Sequence, residues 1–202
     1  MLKDISFTAH KGETVAFIGA TGSGKSTLVN LIPRFYDTTE GMVLVDGVDV
    51  RDYSQTALRN KLGYVSQKAI LFFFSLESNV AYGDNGRSAL QRDAVTEAIS
   101  MAQASEFVEK MTGGLSARIA QGGVNVSGGQ KQRLSIARAI CRHPEIYIFD
   151  DSFSALDYKT DQILRTTLDK KLQGATKLIV AQRIGTIRNA DKIIVLDEGK
   201  IA

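Results

Sequence analysis

The chain has 202 residues, 44% hydrophobic and 23% charged, the balance of one globular domain with a real core. Its net charge of +3 comes from scattered Lys and Arg, which leaves no basic stripe for nucleic acid, and no such partner is expected. No apolar run approaches the ~18 residues of a membrane span, Met1-Leu2-Lys3 opens no secretory leader, there is no tryptophan, and the lone Cys141 excludes an internal disulfide, as in a reducing compartment.

Residues 2–7 and 14–18 read as strands joined by a turn at His10-Lys11-Gly12, with His10 in solvent. The second strand runs into Gly19-Ala20-Thr21-Gly22-Ser23-Gly24-Lys25-Ser26-Thr27, which fits the phosphate-loop pattern G-x-x-x-x-G-K-[ST]. A helix over 25–34 leaves it, with Leu28, Leu31 and Ile32 on one face. Strand, glycine-rich turn and helix together make an anion cradle: backbone N–H groups close around phosphate oxygens and the helix N-terminus adds partial positive charge. Lys25 then reaches the outer phosphates and the Ser26 hydroxyl meets a magnesium ion.

Residues 41–50 alternate apolar and polar around Asp46-Gly47, the mark of a hairpin. A helix over 54–60 and a short strand over 62–65 follow, ending at Ser66-Gln67. From about 77 to 141 the character is helical, with helices expected over 89–102, 104–111 and from Ser127 to Cys141. Ser127-Gly128-Gly129-Gln130 has the S-x-x-Q form of a capping box. Its two glycines cost the helix about 1 kcal/mol each, and they leave bare N–H groups that an anion can approach.

The tail returns to short apolar runs, 146–149, 177–181 and 192–196, as a parallel sheet covered on both faces requires. Helices are expected over 157–172 and 184–188. The run Ile146-Tyr147-Ile148-Phe149 ends in Asp150, beyond the carboxyl end of its strand and beside the phosphate loop, where a carboxylate holds magnesium. Asp151 follows at once. Ser154-Ala155-Leu156-Asp157 opens the next helix, with Asp157 placed to stabilise its N-terminus. The fold class is α/β: a P-loop nucleotide-hydrolase core with a parallel sheet, a small antiparallel β subdomain and an inserted helical subdomain.

These motifs stand in the order typical of ATP-binding cassette (ABC) domains, which the sequence resembles over essentially its whole length. Leu58-Arg59-Asn60-Lys61-Leu62-Gly63-Tyr64-Val65-Ser66-Gln67, Asn79-Val80-Ala81-Tyr82-Gly83 and Gly122-Gly123-Val124-Asn125-Val126 are similar to the exporter branch. The resemblance implies ATP and magnesium as cofactors, with Ser26, Gln67 and Asp150 around the ion. It implies head-to-tail pairing of two such domains, in which Ser127-Gly128-Gly129-Gln130 touches the partner's ATP and residues 154–157 lie at the dimer contact. The segment 72–79 would face a membrane domain, placing the domain on the cytoplasmic face of the cell membrane. Residues 1–70 and 142–202 would form the ATP-binding core and 71–141 the helical subdomain. The chain reads as a piece of a longer protein, with the aromatic residue that stacks on adenine upstream of residue 1.

Three departures from the family pattern stand out, the third at a pair of residues. Asp151 stands where Glu usually polarises the attacking water, one methylene shorter. Gln182 stands where a histidine usually contacts the γ-phosphate, and an amide cannot carry positive charge. Their joint change resembles the degenerate subunit of heterodimeric exporters and implies a non-identical partner with weak turnover here. A fully active transport ATPase is the alternative; a soluble cassette in DNA repair or translation fits less well, since no coiled-coil insertion or tandem cassette is present. Phe73 and Phe74 replace usually small residues and fit either core or a docking surface.

Overall fold

The computed structural model of the chain describes residues 2–83 and 92–202. Strand β1 (Thr14–Ile18) leads into helix α1 (Lys25–Leu31), and β2 (Leu44–Val45) pairs antiparallel with β3 (Val48–Asp49) across the expected Asp46-Gly47 turn. Helix α2 (Gln55–Lys61) runs directly into β4 (Leu62–Val65). Helices α3 (Leu76–Val80), α4 (Arg92–Met101), α5 (Ser105–Lys110) and α6 (Gly128–Cys141) intervene. The remainder alternates as β5 (Ile146–Asp150), α7 (Tyr158–Lys171), β6 (Thr176–Val180), α8 (Ile184–Ile187), β7 (Lys192–Asp197) and β8 (Lys200–Ile201). The first positions of the helix expected over 89–102, residues 89–91, lie outside the described residues.

The six-stranded sheet has the order β4-β5-β6-β1-β7-β8, parallel except for the last pair. The apolar runs 15–18 in β1 and 146–149 in β5 follow from cover on both faces. On β1, Ala16 joins a core shared with α4, α6 and α7, whereas Val15 and Phe17 join a second core with Leu28, Val29 and Leu58. Each such side chain, fully buried, contributes roughly 1.5–3 kcal/mol. The crossover order brings the carboxyl ends of β1, β5 and β6 together, and β4 ends beside them.

Two readings of the sequence are corrected. Residues 2–7 form no strand: Leu2, Ile5, Phe7 and Ala9 alternate into the second core, but only Lys3 N–H donates to a neighbouring backbone, at Gly199 O (2.8 Å). The alternation reported one buried face, which a chain lying on a core has without a ladder. The run 192–196 is covered on one face alone, since Ile194 and Leu196 are buried while Ile193 and Val195 are 46% and 40% exposed. Strand β8, two residues long, was not expected.

Helix α6 starts as its sequence demands. Ser127 Oγ accepts from Gln130 N–H (3.3 Å) and Gln130 Oε1 accepts from Ser127 N–H (2.8 Å), closing a full capping box. Such a cap is worth about 1 kcal/mol.

Candidate functional site

The turn after β1 is tight. Gly19 has φ +146, and a Cβ there would lie 2.0 Å from the Leu196 carbonyl, so no side chain is possible. Lys25, in the first turn of α1, is buried and donates from Nζ to the carbonyls of Gly19 and Ala20, both at 2.8 Å, with Ser23 Oγ at 3.4 Å. Ser26 Oγ donates to Asp150 Oδ1 at 2.7 Å, which joins the phosphate loop to the end of β5. The other oxygen, Asp150 Oδ2, lies 3.2 Å from the Tyr64 hydroxyl, itself 2.7 Å from Asn30 Oδ1.

Asp151 turns the chain away from β5 with φ +46, while its N–H donates to Val180 O (3.1 Å). Its Oδ2 accepts two amides, Gln67 Nε2 at 3.1 Å and Gln182 Nε2 at 2.9 Å. Burial pushes the Asp151 carboxyl up; the Gln67 hydrogen bond opposes this and the neighbouring Asp150 charge reinforces it. An open cavity of about 210 Å³ is lined by Thr21, Gly22, Gly24, Lys25, Ser26 and Thr27 on one side and Gln67, Asp151, Val180 and Gln182 on the other. Of the expected site residues, Thr21, Gly22, Gly24, Lys25, Ser26, Thr27, Gln67, Asp151 and Gln182 therefore meet at one cavity, while Gly19, Ala20, Ser23 and Asp150 lie behind its lining.

Ser127, Gly128, Gly129 and Gln130 lie outside that cavity, with Ser127 and Gly128 exposed. A Cβ on Gly128 would meet nothing within 4 Å, whereas one on Gly129 would lie 3.3 Å from Ala155 O. The 154–157 segment is thus packed against the start of α6. Arg183 holds it from behind, donating to Ser154 O (3.1 Å) and Leu156 O (3.3 Å), and Ser154 Oγ donates to Asp151 O (2.8 Å). Asp157 caps α7 by accepting from Thr160 N–H at 2.9 Å, and that bond lowers its pKa.

Phe73 and Phe74 are 62% and 48% exposed, which excludes the core reading. Phe72, Phe74 and Tyr82 gather into one aromatic cluster beside exposed Ile70, and the Arg138 guanidinium of α6 lies over Phe72 and Tyr82, 5.2 and 5.8 Å from their centroids.

Residues 2–154 match the ABC transporter family model. The chain belongs to the ABC transporter family. It is 50% identical over 201 residues to an uncharacterized ABC transporter ATP-binding protein of Mycobacterium tuberculosis, and 46% identical over 201 residues to a putative multidrug export ATP-binding/permease protein of Staphylococcus aureus. Each alignment covers 100% of this chain and 34% of the relative, so the chain spans about a third of the length of the curated relatives it matches. A solved bacterial Atm1-family ABC exporter with ATP bound superposes with a TM-score of 0.94 at 38% identity, over 100% of this chain and 35% of that one. Within this ABC chain, Tyr64, Asn30, Gln132, Arg138 and Arg183 escaped the sequence reading. Only Tyr64 left a signal there, since a polar hydroxyl in an otherwise apolar strand needs a partner.

Proposed function

We propose that the chain is the nucleotide-binding domain of an ABC exporter, holding MgATP in the cavity between the phosphate loop and Asp151. The observation that carries this is the convergence of Lys25, Ser26, Gln67, Asp151 and Gln182 on one opening, with Asp150 joined to it through Ser26 and with Ser127 and Gly128 exposed elsewhere. The donor set suits magnesium: a hydroxyl, a carboxylate and an amide oxygen, with phosphate oxygens and water completing the shell. Among the described residues no cluster of three His, Cys, Asp or Glu competes for a metal. Magnesium would neutralise developing phosphate charge; Lys25 would bind the outer phosphates, and Gln67 would orient water.

Residues 1–70 and 142–202 act as the ATP-binding core and 71–141 as the helical subdomain. Ser127 to Gln130 would complete the nucleotide site of a second, non-identical domain, and residues 154–157 would lie in the contact. The aromatic cluster would dock a membrane domain, with the chain on the cytoplasmic face; no helix among the described residues is long and apolar enough to cross a membrane. The relatives' names, putative multidrug export ATP-binding/permease protein and Atm1-family ABC exporter with ATP bound, support this reading.

The site's own hydrolysis is slow in this reading. Asp151 is one methylene short, its Oδ2 is tied to two amides, and Gln182 brings no charge. A displacement of about 1 Å in a catalytic group costs on the order of a hundredfold in rate. The purified chain is expected to bind MgATP, to hydrolyse it slowly, and to be little changed by Asp151→Asn. The pair Asp151→Glu with Gln182→His is expected to raise turnover by roughly tenfold or more. Steady-state phosphate release measures both, and vigorous wild-type turnover abolished by Asp151→Asn would establish the competing reading. That reading, an active ATPase, draws on the burial that raises the Asp151 carboxyl and so makes it a stronger proton acceptor.

A further inference from the structure

Asp150 is the carboxylate nearest the expected cation, and its two oxygens are treated differently. Oδ1 is fixed by Ser26 Oγ at 2.7 Å, while Oδ2 points to the Tyr64 hydroxyl at 3.2 Å. The sheet dictates this meeting. Tyr64 lies opposite Ile148 in the β4–β5 register, and Asp150 is two residues beyond Ile148, so Tyr64 and Asp150 share a face. Phe35 packs edge-on against the Tyr64 ring with centroids 5.3 Å apart, which fixes where the hydroxyl points.

The hydroxyl has one proton and two oxygen neighbours, Asn30 Oδ1 at 2.7 Å and Asp150 Oδ2 at 3.2 Å. If the proton goes to Asn30, the phenol oxygen and the carboxylate face each other across 3.2 Å with no hydrogen between them. The carboxylate is the stronger acceptor. An Asn amide has nearly the same shape either way round, so its O and N are assigned from the hydrogen-bond network. With the Asn30 amide turned, its NH2 donates to the phenol oxygen and the phenol proton goes to Asp150. All three groups are then satisfied.

We propose that Tyr64 is a positioning residue for Asp150, in a relay Asn30 amide to Tyr64 hydroxyl to Asp150 Oδ2 that aims the carboxylate at the magnesium position. The proposal rests on the nucleotide-site reading above. Removing the hydroxyl frees Asp150 to rotate and weakens nucleotide binding through the metal alone.

The test is ATP affinity of the 202-residue chain, by calorimetry or a fluorescent ATP analogue, in magnesium and in EDTA. Tyr64→Phe keeps the ring and its packing. It is expected to weaken binding in magnesium by roughly 3- to 10-fold, the range for one lost hydrogen bond of ordinary strength, with EDTA affinity unchanged. Asn30→Ala should act in the same direction and add little to Tyr64→Phe. Unchanged magnesium affinity in Tyr64→Phe overturns the relay, as does an equal loss in EDTA, which would make Tyr64 a prop for the loop. Wild-type chain that binds no ATP in either condition overturns the nucleotide-site reading and this proposal with it.

Discussion

Asp151 is a non-glycine residue on left-handed backbone, φ +46, a conformation that Asp tolerates better than longer or branched side chains. The strain is held by its N–H bond to Val180 O and by two amides on Oδ2. Burial favours the protonated carboxyl, so the folded chain binds that proton more tightly than the unfolded chain does. Between the ordinary carboxyl value of about 4 and the raised folded value, stability therefore falls as pH rises. Asp151→Asn keeps an acceptor for the amides and removes the charge. It is expected to raise the melting temperature by a few degrees at neutral pH, with the gain shrinking as pH falls toward about 4. Thermal melts across that range decide it, and a gain independent of pH would mean that charge is not the cause. The pairing of Asp151 with two glutamines was not legible in the sequence, because it depends on three strand ends meeting. Ser26 and Asp150 were, since each motif carries its own chemistry.

At the scale of elements, α6 does more than open with a cap. Gln132 Nε2, on a fully buried side chain, donates to Ser66 O at 3.1 Å, beside Gln67. One and a half turns on, Arg138 donates to Asn79 O (2.7 Å), Ile70 O (2.9 Å) and Asn79 Oδ1 (3.1 Å). Asn79, with no exposed surface, in turn bonds Phe72 N–H and the carbonyls of Phe72 and Ser75. The aromatic segment is therefore pinned to α6 at both ends. Burial lowers the Arg138 pKa to about 10, and the group stays charged at neutral pH. Arg138→Ala is expected to cost about 2–4 kcal/mol, since it removes three hydrogen bonds and takes the donor from the carbonyl of buried Asn79. It should also speed amide exchange over residues 70–80. Lysine, a point charge without the planar fork, should restore only part. Chemical denaturation with hydrogen exchange measures both, and an alanine variant as stable as wild type would refute the clamp. Long periodic elements such as α6 and α7 were legible from spacing. The 2–7 segment was misread because apolar residues on one buried face do not require a ladder, and β8 is too short to leave a pattern.

Across the whole molecule, the nucleotide cavity and Ser127-Gly128-Gly129-Gln130 are separate surfaces tied through residues 151–157. Arg183 follows Gln182 directly and grips Ser154 and Leu156, while Ala155 presses on Gly129. What happens at Asp151 and Gln182 thus has a short mechanical route to the exposed surface at Ser127 and Gly128, where the proposed second domain would bind. Gly128 separates the two roles cleanly, because a side chain there meets nothing in this chain. Gly128→Trp is expected to leave this chain's MgATP affinity unchanged and to weaken MgATP-dependent association with the partner domain by roughly tenfold, ~1.4 kcal/mol. Sedimentation with and without MgATP measures the association. An equal fall in the isolated chain's own nucleotide affinity would place the signature on its own nucleotide instead.

The exposed Phe73 has one more consequence, an optical one. The sequence contains no tryptophan, and Phe73, between the clustered Phe72 and Phe74 in the chain, is 62% exposed. Phe73→Trp would give the chain a single indole on the surface where a membrane domain would seat. Its emission would shift to shorter wavelength when that surface is covered, so docking could be followed in real time without a dye against a background of tyrosine alone.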